Sequence, residues 1–150
     1  VLRWTERDDL DPAWAEGLLG PGALFELVET DVLGQPVEVF AQRPRSVPQI
    51  LARAAETYGD RPYLIGTDRT VTYADAPAQV AAIAATLRQR HGVRPGDRVA
   101  LAGEFTIDHA LTLWAVAATG AIVVAINPHA TDDERAHAVA LTEPVLTLSG

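Results

Sequence analysis

The 150-residue chain contains no lysine and no cysteine, and all 12 of its basic residues are arginine. The first absence excludes a phosphate-loop lysine or a Schiff-base lysine within this chain. The second excludes disulfides, thiol nucleophiles and thiolate metal sites. Positive charge is scarce overall: 20 acidic residues outnumber the basic ones, giving a net charge of −8. That balance argues against a general nucleic-acid surface, and no nucleic-acid partner is expected. The first residues, VLRWTERDDLD, are charged and carry no apolar signal-peptide core. A soluble cytoplasmic protein is the expectation. There is no internal repeat and no low-complexity tract.

Charge is also missing locally. From His109 to Thr131 there is no Asp, Glu, Lys or Arg, a window nominally long enough to cross a bilayer. Gly120 divides it. The first half, Ile107 to Thr119, is rich in Ala and Leu and sets Ile107, Leu111, Trp114 and Ala118 on one helical face. Trp114 is therefore expected in the core. The second half, Ala121 to Ile126, is β-branched and too short for a helix, so it is expected to be a strand buried on both faces. Gly120 suits a helix C-terminus that needs positive φ. Helix, glycine, buried strand and Asn127-Pro128 compose an αβ unit of a parallel sheet, and no transmembrane segment is expected.

The remaining periodicities extend this unit. A chain of this length suits one domain that buries roughly 70% of its unfolded surface. Residues 1–45 are irregular and are expected to form an N-terminal arm packing on the domain. Trp4, Leu10, Trp14, Leu18 and Leu19 are spaced roughly as a helical face, interrupted by Pro12. Leu33 to Pro36 suggests a turn, and Pro36 to Phe40 a short strand. Residues 46–150 are expected to form an α/β portion. Ser46 and Gln49 have capping-box spacing before a stripe of Val47, Ile50, Leu51, Ala54 and Ala55. Tyr63 to Ile65 and Thr70 to Tyr73 are expected to form a hairpin around residues 66–69. A helix to about Arg90 follows, with Val80, Ile83, Ala84 and Leu87 inward and Thr72 or Asp75 placed to cap it. Arg94-Pro95-Gly96-Asp97 has the residues of a type II turn. Val99 to Ala102 is then a buried strand. Thr131 and Glu134 form a second capping box before a helix to about Leu141, and Val145 to Leu148 a last strand. Strands alternating with helices predict a doubly wound, mostly parallel sheet with right-handed crossovers.

Three stretches carry a resemblance: Val71-Thr72-Tyr73-Ala74-Asp75-Ala76, then Val93-Arg94-Pro95-Gly96-Asp97-Arg98-Val99-Ala100, then Ala118-Thr119-Gly120-Ala121 leading to Ala125-Ile126-Asn127-Pro128. In this order they resemble the start of the adenylate-forming enzymes, which include acyl-CoA synthetases, nonribosomal-peptide adenylation domains and luciferases. The likeness covers Ser46 to Gly150, and the preceding arm looks most like the acyl-CoA synthetase branch. Ala76-Pro77, Gly103-Glu104-Phe105-Thr106 and Ala125 depart from the usual pattern without removing a catalytic group. The family's Ser/Thr/Gly-rich phosphate loop, its adenine- and ribose-binding motifs and its catalytic lysine are not in this chain.

The resemblance therefore implies the N-terminal fragment of a ligase. The parent would convert a carboxylic acid and ATP to acyl-AMP, then to acyl-CoA, using Mg2+ and CoA. The remainder of the same polypeptide would supply the chemistry, and the fragment alone would be inactive, with no catalytic residue and no metal ligand. Alternatives are a carrier-loading adenylation domain, an acyl-AMP ligase, or a stand-alone Rossmann-like nucleotide-binding or interaction module. The last is disfavoured because no Gly-rich loop follows a strand. Asn127, Pro128 and His129 are the candidate cofactor-binding residues. His129 follows a strand end, where ligands gather in open α/β sheets, and in the CoA-ligating members a basic residue after Asn-Pro can lie near the CoA phosphates. A histidine there is a weaker, pH-dependent cation. Asp133 and His137, four apart on a helix, are expected to be a solvated pair. Glu104 is expected to face water, and Asp8-Asp9-Leu10-Asp11 to be a solvated acidic turn.

Overall fold

The computed structural model describes residues 12–149. The chain divides into two compact units, Val1–Arg45 and Ser46–Gly150. In the first unit, helix α1 (Pro12–Leu19) precedes a hairpin of β1 (Leu27–Val32) and β2 (Gln35–Phe40). Leu33 and Gly34 join the two strands, both at positive φ (55° and 78°), as a two-residue hairpin turn of primed type requires. Leu27 pairs with Phe40 and Val32 with Gln35, and the Phe25 ring packs 6.0 Å from that of Phe40. The sequence pattern announces only the second of these strands. The expected Trp4 and Leu10 face and the acidic cluster at Asp8 to Asp11 lie outside the described residues.

The second unit begins with α2 (Val47–Tyr58), followed by β3 (Pro62–Ile65), β4 (Thr70–Thr72) and α3 (Ala76–His91). Ser46 occupies the N-cap of α2 without a side-chain cap bond, so the expected capping box does not form. Leu51 is buried in this helix, whereas Val47 and Ile50 are about half exposed (47% and 48%). Only the edge of the apolar stripe around Leu51 meets the other helices. Helix α3 buries Ala76, Val80, Ala84 and Leu87 and ends on Gly92 in left-handed geometry. The Thr72 hydroxyl accepts from the Asp75 N–H (3.1 Å) and donates to the Asp75 carboxylate (2.8 Å), fixing the entry to this helix.

Then come β5 (Arg98–Ala102), α4 (Ile107–Ala118), β6 (Ile122–Ile126), α5 (Asp132–Thr142) and β7 (Leu146–Ser149). The three strands form a parallel sheet in the order β6-β5-β7. Val99 and Leu101 of β5 face a core built with Val80, Leu87, Leu111 and Val116 of α3 and α4. Ala100 and Ala102 face the other way, toward Ile126 and Val139. Helices therefore cover both faces of the sheet, as a doubly wound arrangement demands.

Two expectations for this part are corrected. Strand β6 is not buried on both faces. It is an edge strand of the described sheet, with Ile122 52% exposed; burial on both faces belongs to the central β5. Trp114 is not fully buried. Residues Ile107, Ala110, Leu111, Ala115 and Val116 are the buried ones of α4, and Trp114 stands at the margin of that face. Its indole N–H donates to the Tyr63 hydroxyl at 2.7 Å, and Tyr63 stacks on Tyr73 at 4.6 Å. An aromatic with a polar handle suits a half-buried position of this kind.

The Arg94–Asp97 turn is formed as expected. The Asp97 N–H donates to the Arg94 carbonyl at 3.1 Å, and Gly96 has φ of 86°. The turn rests on the end of α4. Gly96 N–H donates to the Gly120 carbonyl (2.9 Å) and Ile122 N–H to the Asp97 carbonyl (2.7 Å). Gly120 is required twice: its φ is +80°, and a Cβ there would lie 3.1 Å from Cβ of Pro95. Gly120→Ala is expected to destabilise the unit by about 1–3 kcal/mol in urea denaturation. A loss below about 0.5 kcal/mol would show that the turn yields freely.

Candidate functional site

Strands β5 and β6 are neighbours in register, with Ala102 opposite Ile126. Their exits diverge. The loop after β5 leads to α4 on the Val99 and Leu101 face, and the loop after β6 leads to α5 on the Ala100 and Ala102 face. Adjacent parallel strands whose connections leave to opposite faces make a topological switch point, and the crevice outside their carboxyl ends is where open α/β sheets bind ligands. Gly103 to Thr106 and Asn127 to Thr131 frame this crevice.

The first loop is short and held. Thr106 N–H donates to the Glu104 carbonyl (2.9 Å), and the Thr106 hydroxyl caps α4 by accepting from His109 N–H (3.1 Å). Phe105 is 72% exposed and its ring lies 5.4 Å from the His109 imidazole. Glu104 is exposed, as expected. Asp108 in the first turn of α4 pairs with Arg69 at 2.6 Å, which ties the β3-β4 turn to the same edge. Gly66 of that turn lies so close to Ile107 that a Cβ would meet its Cδ1 at 2.9 Å.

The second loop contains the three residues singled out from the sequence. Asn127 is a turn former: its Oδ1 accepts from His129 N–H (3.0 Å), and its carbonyl accepts from Ala130 N–H (3.0 Å). Pro128 supplies a fixed φ inside that turn. His129 is exposed, so its imidazole is presented to solvent at the rim. Arg135 was not anticipated. It lies in the first turn of α5, and its guanidinium donates to the Ala130 carbonyl at 3.3 Å, placing a permanent cation under the loop that carries His129. No spacing to a motif signals it in the sequence.

The electrostatics of the edge restrict what it can hold. Two helix N-termini, those of α4 and α5, begin here, which favours anions. One helix-start donor of each is already engaged, however: His109 N–H by the Thr106 hydroxyl and Glu134 N–H by a complete capping box. Thr131 N–H donates to Glu134 Oε2 (2.8 Å), and Glu134 N–H donates to the Thr131 hydroxyl (3.3 Å). Asp108, Asp132, Asp133 and Glu134 add negative charge. An ATP polyphosphate, which needs lysine and a glycine-rich cradle, does not fit this donor set. No group of three or more His, Asp or Glu side chains among the described residues could hold a metal ion. No described helix is long and apolar enough to cross a membrane.

A parallel switch-point sheet fed by a Pro-Gly-Asp turn and ending in Asn-Pro resembles the N-terminal portion of the adenylate-forming enzymes. The AMP-binding enzyme family model matches residues 51–149, and the chain belongs to that family. A long-chain-fatty-acid–CoA ligase of Salmonella typhimurium is 31% identical over 102 residues, 68% of this chain and 18% of that one. The corresponding ligase of Yersinia pestis is 33% identical over the same length. Among solved structures, the NpsA N-terminal subdomain of Klebsiella oxytoca superposes with a TM-score of 0.66 at 25% identity, covering 71% of this chain and 28% of that one. A putative long-chain-fatty-acid CoA ligase of Rhodopseudomonas palustris gives 0.65 at 28% identity, covering 70% and 26%. The chain thus spans about a fifth of the length of the curated ligases it matches.

The capping box gives a pH prediction beside the site. Hydrogen bonds from the Thr131 backbone N–H, and then from its hydroxyl, hold the Glu134 carboxyl below the usual carboxylate range. A lowered folded pKa means that the contribution to stability is complete above the unfolded value and lost as pH falls through the folded one. Wild type is therefore expected to lose stability relative to Glu134→Gln as pH drops through and below the ordinary carboxylate range. Parallel pH profiles for the two proteins in thermal unfolding would contradict it.

Proposed function

We propose that the parent protein is an ATP-dependent acyl-CoA synthetase and that this chain supplies scaffold and one rim of its CoA environment. Two bonds form and two break in the overall reaction. A carboxylate oxygen attacks the α-phosphorus of Mg-ATP and expels pyrophosphate, and the CoA thiol then displaces AMP from the acyl carbon. The observation that carries the reading is the likeness to fatty-acid–CoA ligases over residues that build the carboxyl edge of β5 and β6. Neutralising charge on a transferring phosphoryl takes cations and backbone donors. With no lysine in the chain and both helix N-termini already capped, those groups belong to the rest of the polypeptide. Magnesium would enter with ATP there. With ATP and CoA as substrates, the parent works in the cytoplasm.

At the rim, His129 meets a phosphate of the CoA nucleotide through its exposed imidazole, with Arg135 behind the turn and Asn127 and Pro128 fixing the loop. A screened contact of this kind is worth about 1 kcal/mol. A second reading, transfer of the acyl group to a carrier protein, has support in the likeness to NpsA. The two divide on whether free CoA is used.

Two measurements test the proposal. The isolated chain is expected to give no ATP–pyrophosphate exchange with any carboxylic acid, and exchange above a protein-free blank would overturn the division of labour. In the full-length enzyme, His129→Ala is expected to raise KM for CoA about fivefold, His129→Arg to restore it, and ATP–pyrophosphate exchange to stay unchanged in both. CoA kinetics indifferent to His129→Ala, or exchange falling in parallel, would remove His129 from the CoA site.

A further inference from the structure

We propose that the groove between α2, α3 and α4 is a binding site for one alkyl-chain carboxylate, separate from the strand-end edge. The groove is open and has a volume of about 220 Å3. It exists because alanine stands where larger side chains would close it: Ala52 on α2, Ala81 and Ala84 on α3, and Ala118 on α4 all line it. Trp114 forms one wall, with its indole held by Tyr63. The lining carries a single charge, Arg88.

The shape selects the ligand. Along α3 the lining runs from Pro77 to Arg88, about 16 Å at the helical rise. It is apolar throughout and ends on a guanidinium. The volume lies below that of sites for drug-sized molecules, about 300 Å3 and upward, and the groove is too small to seat a partner helix about 10 Å across. A single hydrocarbon chain with an anionic head meets both features at once. The chain removes apolar surface from water, and the head pairs with Arg88, which has no ion pair among the described residues.

The surroundings reinforce the sign. Arg88, Arg90, His91 and Arg94 are all exposed at the end of α3 and just beyond it, a basic end on a chain of net charge −8. The same cluster disfavours a second copy as occupant, because a two-fold contact across the groove would bring like charges together. The site asks for no ATP chemistry. It stands or falls independently of the assignment of His129.

Fluorescence of Trp114 is the readout, in the 150-residue chain carrying Trp4→Phe and Trp14→Phe. Decanoate, titrated below its micelle concentration, is expected to change the emission saturably. Decyltrimethylammonium, with the same chain and the opposite head, is expected to give no saturable change over that range. Arg88→Ala is expected to weaken decanoate binding about two- to fivefold, and Ala81→Glu to abolish it while circular dichroism stays that of the parent. The proposal is overturned by a response that does not saturate, by equal responses to the two head groups, or by an undiminished response in a folded Ala81→Glu variant. A dimer in sedimentation that Ala81→Glu dissociates would overturn it too, by making the groove a contact between copies. If Ala81→Glu does not fold, the head-group comparison and Arg88→Ala decide.

Discussion

The contact between the Pro95-Gly96 turn and Gly120 sets the rest of the second unit. It joins the entrance of β5 to the end of α4 through two backbone hydrogen bonds, Gly96 to Gly120 and Asp97 to Ile122. With Asp97 bonded to Ile122, Arg98 must pair with Ile122, and the register runs on to Ala102 opposite Ile126. A slip of one residue would turn Val99 and Leu101 out of the helical core and put Ala100 and Ala102 in their place. The register also brings the Gly103 and Asn127 loops out side by side. Geometry at the carboxyl edge is thus decided at the amino end of the same strands.

Other interactions hold this frame from the far side. Arg98 donates from Nε to the Thr142 carbonyl and from its terminal nitrogen to that of Glu143, each at 3.0 Å. It caps the C-terminus of α5 with a cation, where the helix dipole favours one. Val145 N–H donates to the Arg98 carbonyl, so β7 is started by the same residue. One arginine therefore locates both the helix on the second face and the third strand. That helix begins at Thr131, immediately after the His129 loop, with its own cap closed at both ends. The backbone of the rim is hydrogen-bonded at Asn127 and at Thr131, while the His129 side chain is exposed.

Much of this was legible in the residues. The Pro-Gly turn, Gly120 and the Thr131 capping box depend on local chemistry, and local chemistry is printed in the sequence. Tertiary choices were less so. Which side of an apolar helix is innermost depends on its neighbours: Val47 and Ile50 are as apolar as Leu51, yet only Leu51 meets α3 and α4 closely enough to be buried. Trp114 shares a stripe with Leu111, a pattern that points to the core, but the alanines of α3 leave its outer side open. The β-branched run at Ala121 to Ile126 marked a strand correctly and its place in the sheet wrongly, since β-branching does not say which strand is central. At the edge, Asn127, Pro128 and His129 were visible as a strand terminus. Arg135 was not, because its reach back to Ala130 follows from the helix direction rather than from spacing to any motif.

The central claim is that the carboxyl ends of β5 and β6 are the ligand-facing edge of this chain. Backbone amide NMR of the isolated chain, titrated to millimolar concentration with the adenosine bisphosphate moiety of CoA, tests it most directly. The account predicts shifts concentrated at Gly103 to Thr106 and Asn127 to Thr131, with the amides of Gly92 to Arg98 at the opposite end unmoved. Shifts centred on that opposite end, or none at either, would contradict it.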